Sequence, residues 1–129
     1  MRRLAIALAA CVFAFPAAAA GPATIEPKAL NERIAWADQS LFLLDVRTAE
    51  EYAAGHLPGA VNIPHGELGA RIAELSGARE RDVVVYCRTG TRSGAALEVL
   101  DKAGFKRLFH LKGDYTRWTE EKRPVIANQ

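Results

Sequence analysis

An α/β fold, with a mostly parallel central sheet of about five strands and helices on both faces, follows from three features of the sequence. Short runs such as Leu41-Phe42-Leu43-Leu44, Val83-Val84-Val85-Tyr86 and Leu108-Phe109-His110-Leu111 have the length and apolar content of buried strands. Between them lie segments whose apolar residues recur at helical spacing. The two kinds of segment alternate along the chain, the order that builds βαβ units with right-handed crossovers. Such sheets work beyond the carboxyl ends of their strands. Asp45 and Cys87, each closing an apolar run, are therefore expected at one edge.

Taken in order, the first twenty residues read as an export signal. Arg2 and Arg3 form its charged start, Leu4 to Phe15 its apolar stretch, and Ala18-Ala19-Ala20 a small-residue cleavage site before Gly21. Residues 21–129 then form a single domain, expected in the periplasm or secreted. The apolar stretch is short for a membrane span. An alternative comes from Leu8-Ala9-Ala10-Cys11, which resembles a lipoprotein signal and would anchor the protein through Cys11. Cys11 stands very early, however, and the sequence stays apolar through Phe15, so soluble export is the expectation.

Within the domain, Thr24-Ile25-Glu26 begins the fold and Pro27 suits the first position of a helix. Leu30, Ile34 and Ala37 supply that helix with an apolar face, and Glu32 and Arg33 point outward. Asp38-Gln39-Ser40 turns into the strand ended by Asp45. Thr48 and Glu51 have capping-box spacing, opening a short helix that runs to about Ala54 and stops at Gly55. His56-Leu57-Pro58-Gly59 is a turn and Ala60-Val61-Asn62-Ile63 a short strand stopped by Pro64. Glu67 to Ser76 reads as a helix with Leu68, Ile72 and Leu75 inward and a Glu67–Arg71 pair outward. Ser93 to Ala103 is the next helix, with Ala96, Leu97, Leu100 and Ala103 as its buried stripe. The run Leu108 to Leu111 follows, then a turn at Lys112-Gly113-Asp114 and a last helical segment carrying Tyr115 and Trp118.

Charge and cysteine content narrow the function. The chain has 17 Lys+Arg against 15 Asp+Glu, and the first twenty residues contribute Arg2 and Arg3 but no acid. The remainder is formally neutral, which argues against nucleic acid as a partner. Loss of the signal removes Cys11 and leaves Cys87 as a single thiol, unable to form an internal disulfide. His65 and His110 stand apart without metal-ligand spacing, and no metal site is expected.

Cys87 sits where a strand ends and a short loop, Arg88-Thr89-Gly90-Thr91-Arg92, feeds a helix. That setting gathers backbone N–H donors, a helix N-terminus and two guanidinium groups around one sulfur, conditions that favour a thiolate. Cys87 is therefore the candidate nucleophile. Asp45 and Arg47 are read as supporting, with Asp45 capping its strand end and Arg47 pairing with Glu50, Glu51 or Asp45. His56 is read as a structural donor. Trp118 is read as core, with the pocket wall as a second position for it.

With these residues placed, the chain resembles the rhodanese-like sulfurtransferase family from about Ile25 to Pro124. The resemblance rests on four motifs in order. They are Leu43-Leu44-Asp45-Val46-Arg47, the stretch from Glu51-Tyr52 through Gly55-His56-Leu57-Pro58-Gly59-Ala60 to Pro64, the loop Cys87 to Ser93, and Gly113 with Trp118. It implies a rhodanese-like fold and a sulfane sulfur carried as a persulfide on Cys87. It also implies that Arg88, Thr89, Gly90, Thr91 and Arg92 bind the donor, with Ser93 in support. Donors would be thiosulfate-like anions or persulfides. Acceptors would be cyanide or a thiol, a partner protein's included. No cofactor is implied.

The same fold carries phosphatases and arsenate reductases whose loop resembles Cys, five residues, then Arg. Here four residues separate Cys87 from Arg92, a span that suits one sulfur atom better than a tetrahedral oxyanion. A second alternative is a rhodanese-like module that binds or carries sulfur without catalysis. Retention of Cys87, Arg88 and Arg92 favours the enzyme. Where the family often has a second glycine after Gly113 this chain has Asp114, a residue that tolerates a positive-φ turn.

Overall fold

The computed structural model describes residues 5–7, 9–12 and 21–128. The expected cleavage site at Ala18-Ala19-Ala20 lies outside the described residues. Cys11 is described, and it is exposed. No helix among the described residues is long and apolar enough to cross a membrane.

Five strands form one parallel sheet: β1 (Ala23–Ile25), β2 (Leu41–Asp45), β3 (Val61–Asn62), β4 (Asp82–Tyr86) and β5 (Leu108–Leu111). Their spatial order is β1-β5-β4-β2-β3, and every pairing is parallel. The central strand β4 is apolar at every position but its first because it is covered on both faces. Val83 and Val85 face one core with Leu44, and Val84 and Tyr86 face the other with Leu43.

The helices divide between the two faces. Helix α3 (Thr91–Lys102) packs Ala96, Leu97 and Leu100 into the first core, together with Leu68, Leu75 and Ala78. Helix α1 (Pro27–Ala35) contributes Leu30 to the second, and α4 (Asp114–Glu120) contributes Trp118. Trp118 is wholly buried and its indole N–H donates to the Pro124 carbonyl at 2.8 Å, so it is core. Helix α2 (Ala49–Ala54) opens on the expected capping box between Thr48 and Glu51.

Three local expectations change. The segment expected to be an α-helix from Glu67 to Ser76 is a 3-10 helix over Gly69–Ala78. Ile72, Leu75 and Ala78 recur at a spacing of three, which a helix of three residues per turn aligns on one face. The tighter winding also brings Arg71 closer to Glu74, at 2.7 Å, than to Glu67, at 3.7 Å. Ala37 lies beyond the end of α1 at φ 50° and is exposed, so it adds nothing to that helix's buried face. Arg33 does not simply point outward; it bonds Asp38 and reaches Asp82 at the start of β4.

The register sets the working edge. Asp45 pairs with Tyr86, so the residues that follow β2 and β4 leave the sheet side by side. Asp45 and Arg47 are both buried, 0% and 2% exposed, and form a two-pronged ion pair with contacts from 2.6 to 3.1 Å. Arg47 also donates to the Gly55 carbonyl at 2.7 Å and lies 4.0 Å from the centre of the Tyr115 ring. Burial acts to lower the Arg47 pKa, but Asp45 more than offsets it and the guanidinium stays charged. Removing the guanidinium leaves Asp45 a buried charge without its counter-charge, held by the residue-47 N–H at 2.9 Å. Arg47→Leu is expected to cost about 3–5 kcal/mol in urea unfolding, with part of it recovered in Asp45→Asn/Arg47→Leu. A loss below about 1 kcal/mol would place the pair among surface contacts.

Candidate active site

Strand β4 delivers Cys87 to the carboxyl edge of the sheet, and the chain turns at once into α3. Gly90 makes this turn at φ 120°, a left-handed conformation that glycine adopts without strain. Its N–H consequently points back and donates to Cys87 Sγ at 3.0 Å. The carbonyls on the other side of the loop are drawn away by α4. Tyr115 N–H donates to the Cys87 carbonyl at 3.0 Å, and Thr116 donates to the Arg88 carbonyl through its N–H at 3.2 Å and its hydroxyl at 2.9 Å. The result is a sulfur that meets a donor while the nearby acceptors are occupied elsewhere.

The expected site residues fall into three groups. Cys87 is only 1% exposed and Ser93 is buried, with Ser93 Oγ 3.4 Å from Sγ. Arg88, Thr89 and Thr91 are exposed and form the rim, while Gly90 and Arg92 are half-buried. Asp45 and Arg47 stand one strand away as the structural pair already described. His56 likewise has a structural place: its Nδ1 lies 2.7 Å from the Tyr52 carbonyl and its ring stacks on Tyr52 at 3.7 Å.

Of the two loop guanidiniums, Arg88 is exposed and Arg92 is paired with a carboxylate. Arg92 reaches across to α2, where both its terminal nitrogens bond Glu51, at 2.6 and 3.0 Å. Glu51 is already fixed by its capping-box contacts with Thr48, so its carboxylate is a pre-oriented partner and a bidentate pair results. Arg92 hydrogen bonding, with help from Thr48, outweighs partial burial and holds the Glu51 pKa down at about 2. Arg92 is raised in turn, first by Glu51, with the charges of Cys87 and Asp45 adding to the effect.

The sequence reading missed His110. Far from isolated, it lies near the end of β5 with Nε2 at 2.9 and 3.0 Å from the two Asp114 oxygens and 3.1 Å from Ser93 Oγ. Asp114 adopts φ 53°, the tolerated positive turn, and its Oδ1 also accepts from Cys87 N–H and the Ser93 hydroxyl, each at 3.0 Å. Burial acts to raise the Asp114 pKa, but the bonds from His110, Cys87 and Ser93 prevail and leave it below the ordinary value. The signal for His110 was its position: a polar residue near the carboxyl end of a strand that pairs with the strand leading to Cys87.

The Rhodanese-like domain model matches residues 26–121. The chain belongs to that family. A sulfurtransferase of Allochromatium vinosum is 35% identical over 103 residues, covering 80% of this chain and 94% of that protein. Among solved structures, a rhodanese-related protein from Thermoplasma volcanium matches with a TM-score of 0.70 at 32% identity, over 81% of this chain and 97% of its own. The Alr3790 protein of Anabaena sp. matches with a TM-score of 0.73 at 30% identity, over 80% and 82%. The five-stranded parallel sheet covered on both faces is thus the rhodanese-like fold.

The Glu51–Arg92 pair sets an acid-sensitivity prediction. Glu51 releases its proton far more readily in the folded chain than at its ordinary value of 4.5. Its stabilising contribution is therefore complete above about pH 4.5 and disappears as the pH falls towards 2. Glu51→Gln preserves capping-box geometry while removing the charge. In urea unfolding the advantage of the native protein over this variant is expected at pH 6 and mostly gone by pH 2.5. A constant difference across that range would show that the charge of Glu51 contributes nothing.

Proposed function

We propose that the protein is a sulfurtransferase that carries sulfane sulfur on Cys87. The observation behind this reading is the Gly90 N–H aimed at Sγ in a loop of four intervening residues. That polarity suits a sulfur that alternates between thiolate and covalently loaded forms, and the four-residue span suits one sulfur atom better than a tetrahedral oxyanion. Family membership and the sulfurtransferase of Allochromatium vinosum support the same class of reaction.

The two half-reactions balance without an outside oxidant or reductant. The Cys87 thiolate attacks the outer sulfur of thiosulfate, an Sγ–S bond forms, and the S–S bond of the donor breaks with its electron pair leaving on sulfite. Cyanide or an acceptor thiolate then attacks the outer sulfur of the Cys87 persulfide and regenerates the thiolate. This is covalent, ping-pong catalysis. A persulfide donor follows the same arithmetic with a thiolate as leaving group. Arg88 at the rim and Arg92 over the loop attract the anionic donor, and Thr89, Gly90 and Thr91 contact it. The pattern from Arg2 to Ala20 supports an exported protein, in which case partner-protein thiols in that compartment are candidate acceptors. A mature mass beginning at Gly21 is the result expected, and a lipidated Cys11 the result that overturns it.

Incubation with thiosulfate, followed by intact-mass measurement, is expected to add one sulfur atom that cyanide or a thiol removes. Cys87→Ala should gain none. Absence of an adduct with thiosulfate and with a small-molecule persulfide would overturn the proposal and leave a binding module. Arg92→Ala is expected to keep the fold and lower kcat/KM for thiosulfate about tenfold, the size of a lost interaction with a charged group. Native rates in that variant would remove Arg92 from donor binding.

A further inference from the structure

Ser93 occupies a position that the sulfur chemistry alone does not explain. Its hydroxyl has a single hydrogen and four polar neighbours: Cys87 Sγ at 3.4 Å, the Gly90 carbonyl at 3.0 Å, Asp114 Oδ1 at 3.0 Å and His110 Nε2 at 3.1 Å. It can donate to only one of them at a time. Asp114, ionised and buried, can only accept. Because its oxygens lie 2.9 and 3.0 Å from His110 Nε2, that nitrogen must carry a hydrogen. The single Nε2–H of His110 is therefore a donor shared between Asp114 and Ser93.

Two consistent arrangements exist. When Cys87 is a thiol, S–H points to Ser93 Oγ and Ser93 donates onward to Asp114 or the Gly90 carbonyl. When the thiol has given its proton to a base from solvent, the Ser93 hydrogen turns to the sulfur, and Ser93 Oγ accepts from His110 instead. No heavy atom has to move. We propose that Ser93 is a catalytic hydrogen-bond partner whose hydroxyl reverses direction with the charge of Cys87, and that His110 and Asp114 are positioning residues that hold it.

The inference rests on the reading of Cys87 as the nucleophile and adds a role to three residues outside the loop's rim. Other charged groups stand nearby: Arg92 of α3, whose charge interacts with those of Cys87 and Asp45, Glu51 of α2 paired with it, and the exposed Arg88 of the loop. Among the described residues none of these hydrogen-bonds to Sγ; Ser93 is the side chain that does. Their effect is a fixed field, present in every variant considered below.

Ser93→Ala is a clean probe because no partner is left alone. The Gly90 carbonyl still accepts from Gly94 N–H at 2.9 Å, and Asp114 keeps Cys87 N–H and His110. The measurement is the alkylation rate of Cys87 by iodoacetamide against pH, followed at the Cys87 peptide so that Cys11 does not contribute. In Ser93→Ala the profile is expected to move to higher pH with its plateau unchanged. Well below that plateau the rate should fall about tenfold or more, the size of a lost hydrogen bond to an ionised group. His110→Ala should move the profile in the same direction by less. The double variant should move it no further than Ser93→Ala, because His110 acts through Ser93. Superimposable native and Ser93→Ala profiles, additive shifts, or a changed plateau without a shift would each overturn the proposal. The sulfur-loading assay separates the two claims. A shifted profile in a protein that accepts no sulfur removes the proposed function alone, and sulfur loading with unshifted profiles removes this inference alone.

Discussion

Four elements of this structure meet at one carboxylate. Asp114 accepts from Cys87 N–H at the end of β4, from the Ser93 hydroxyl in the first turn of α3 and from His110 on β5, while it is itself the first residue of α4. An ionised, buried carboxylate is stable when donors take up its lone pairs, and here three elements supply them. The Cys87 loop is consequently held by its neighbours rather than by its own sequence. Its carbonyls are taken by the first turn of α4, and the one N–H that faces the sulfur is directed by the left-handed turn at Gly90.

Charge at the sheet edge is more closely balanced than a count of arginines suggests. Arg47 is neutralised by Asp45 inside the core, and Arg92 is neutralised by Glu51 above the loop. The exposed Arg88 is the loop's remaining unpaired guanidinium in the described structure, and the Gly90 N–H adds positive character at the sulfur. Two consequences follow. In the proposed reaction an anion is drawn by a local field rather than by a large basic surface, in keeping with the near-neutral composition. Arg92 is also oriented before any donor arrives, so an anion that engages it does so beside the Glu51 carboxylate.

How far the sequence predicted this arrangement depended on the kind of signal each residue carried. Strands and the Cys87 loop were legible because apolar runs ended by a polar residue have few other readings. The capping box at Thr48 and Glu51 was legible because it is a local motif, but its second task was not. Arg92 lies 41 positions from Glu51, and only the parallel register of β2 and β4 brings them together. His110 was lost for the same reason. A search for metal-ligand spacing asks which histidines are near one another in sequence, whereas this histidine is near a carboxylate that the family pattern often replaces with glycine. The 3-10 segment reads as an α-helix because Leu68, Ile72 and Leu75 fit helical spacing, and only Ala78, buried in the same core, turns the pattern to a period of three.

The burial of Cys87 bears on which donors the proposed chemistry can use. With 1% of its surface open, the sulfur cannot receive a group that must be surrounded on several sides before it reacts. A tetrahedral phosphoryl group is of that kind, since its equatorial oxygens have to be bound while attack occurs in line. A sulfane sulfur is not. In thiosulfate and in persulfides it is a terminal atom, delivered end-on between the rim residues Arg88, Thr89 and Thr91 while the rest of the donor stays outside. The loop therefore need admit only one atom, and the Gly90 N–H already stands where the sulfur carries its charge. The short loop and the buried thiol are thus one feature: a sulfur approached end-on, as suits the terminal atom it is proposed to carry.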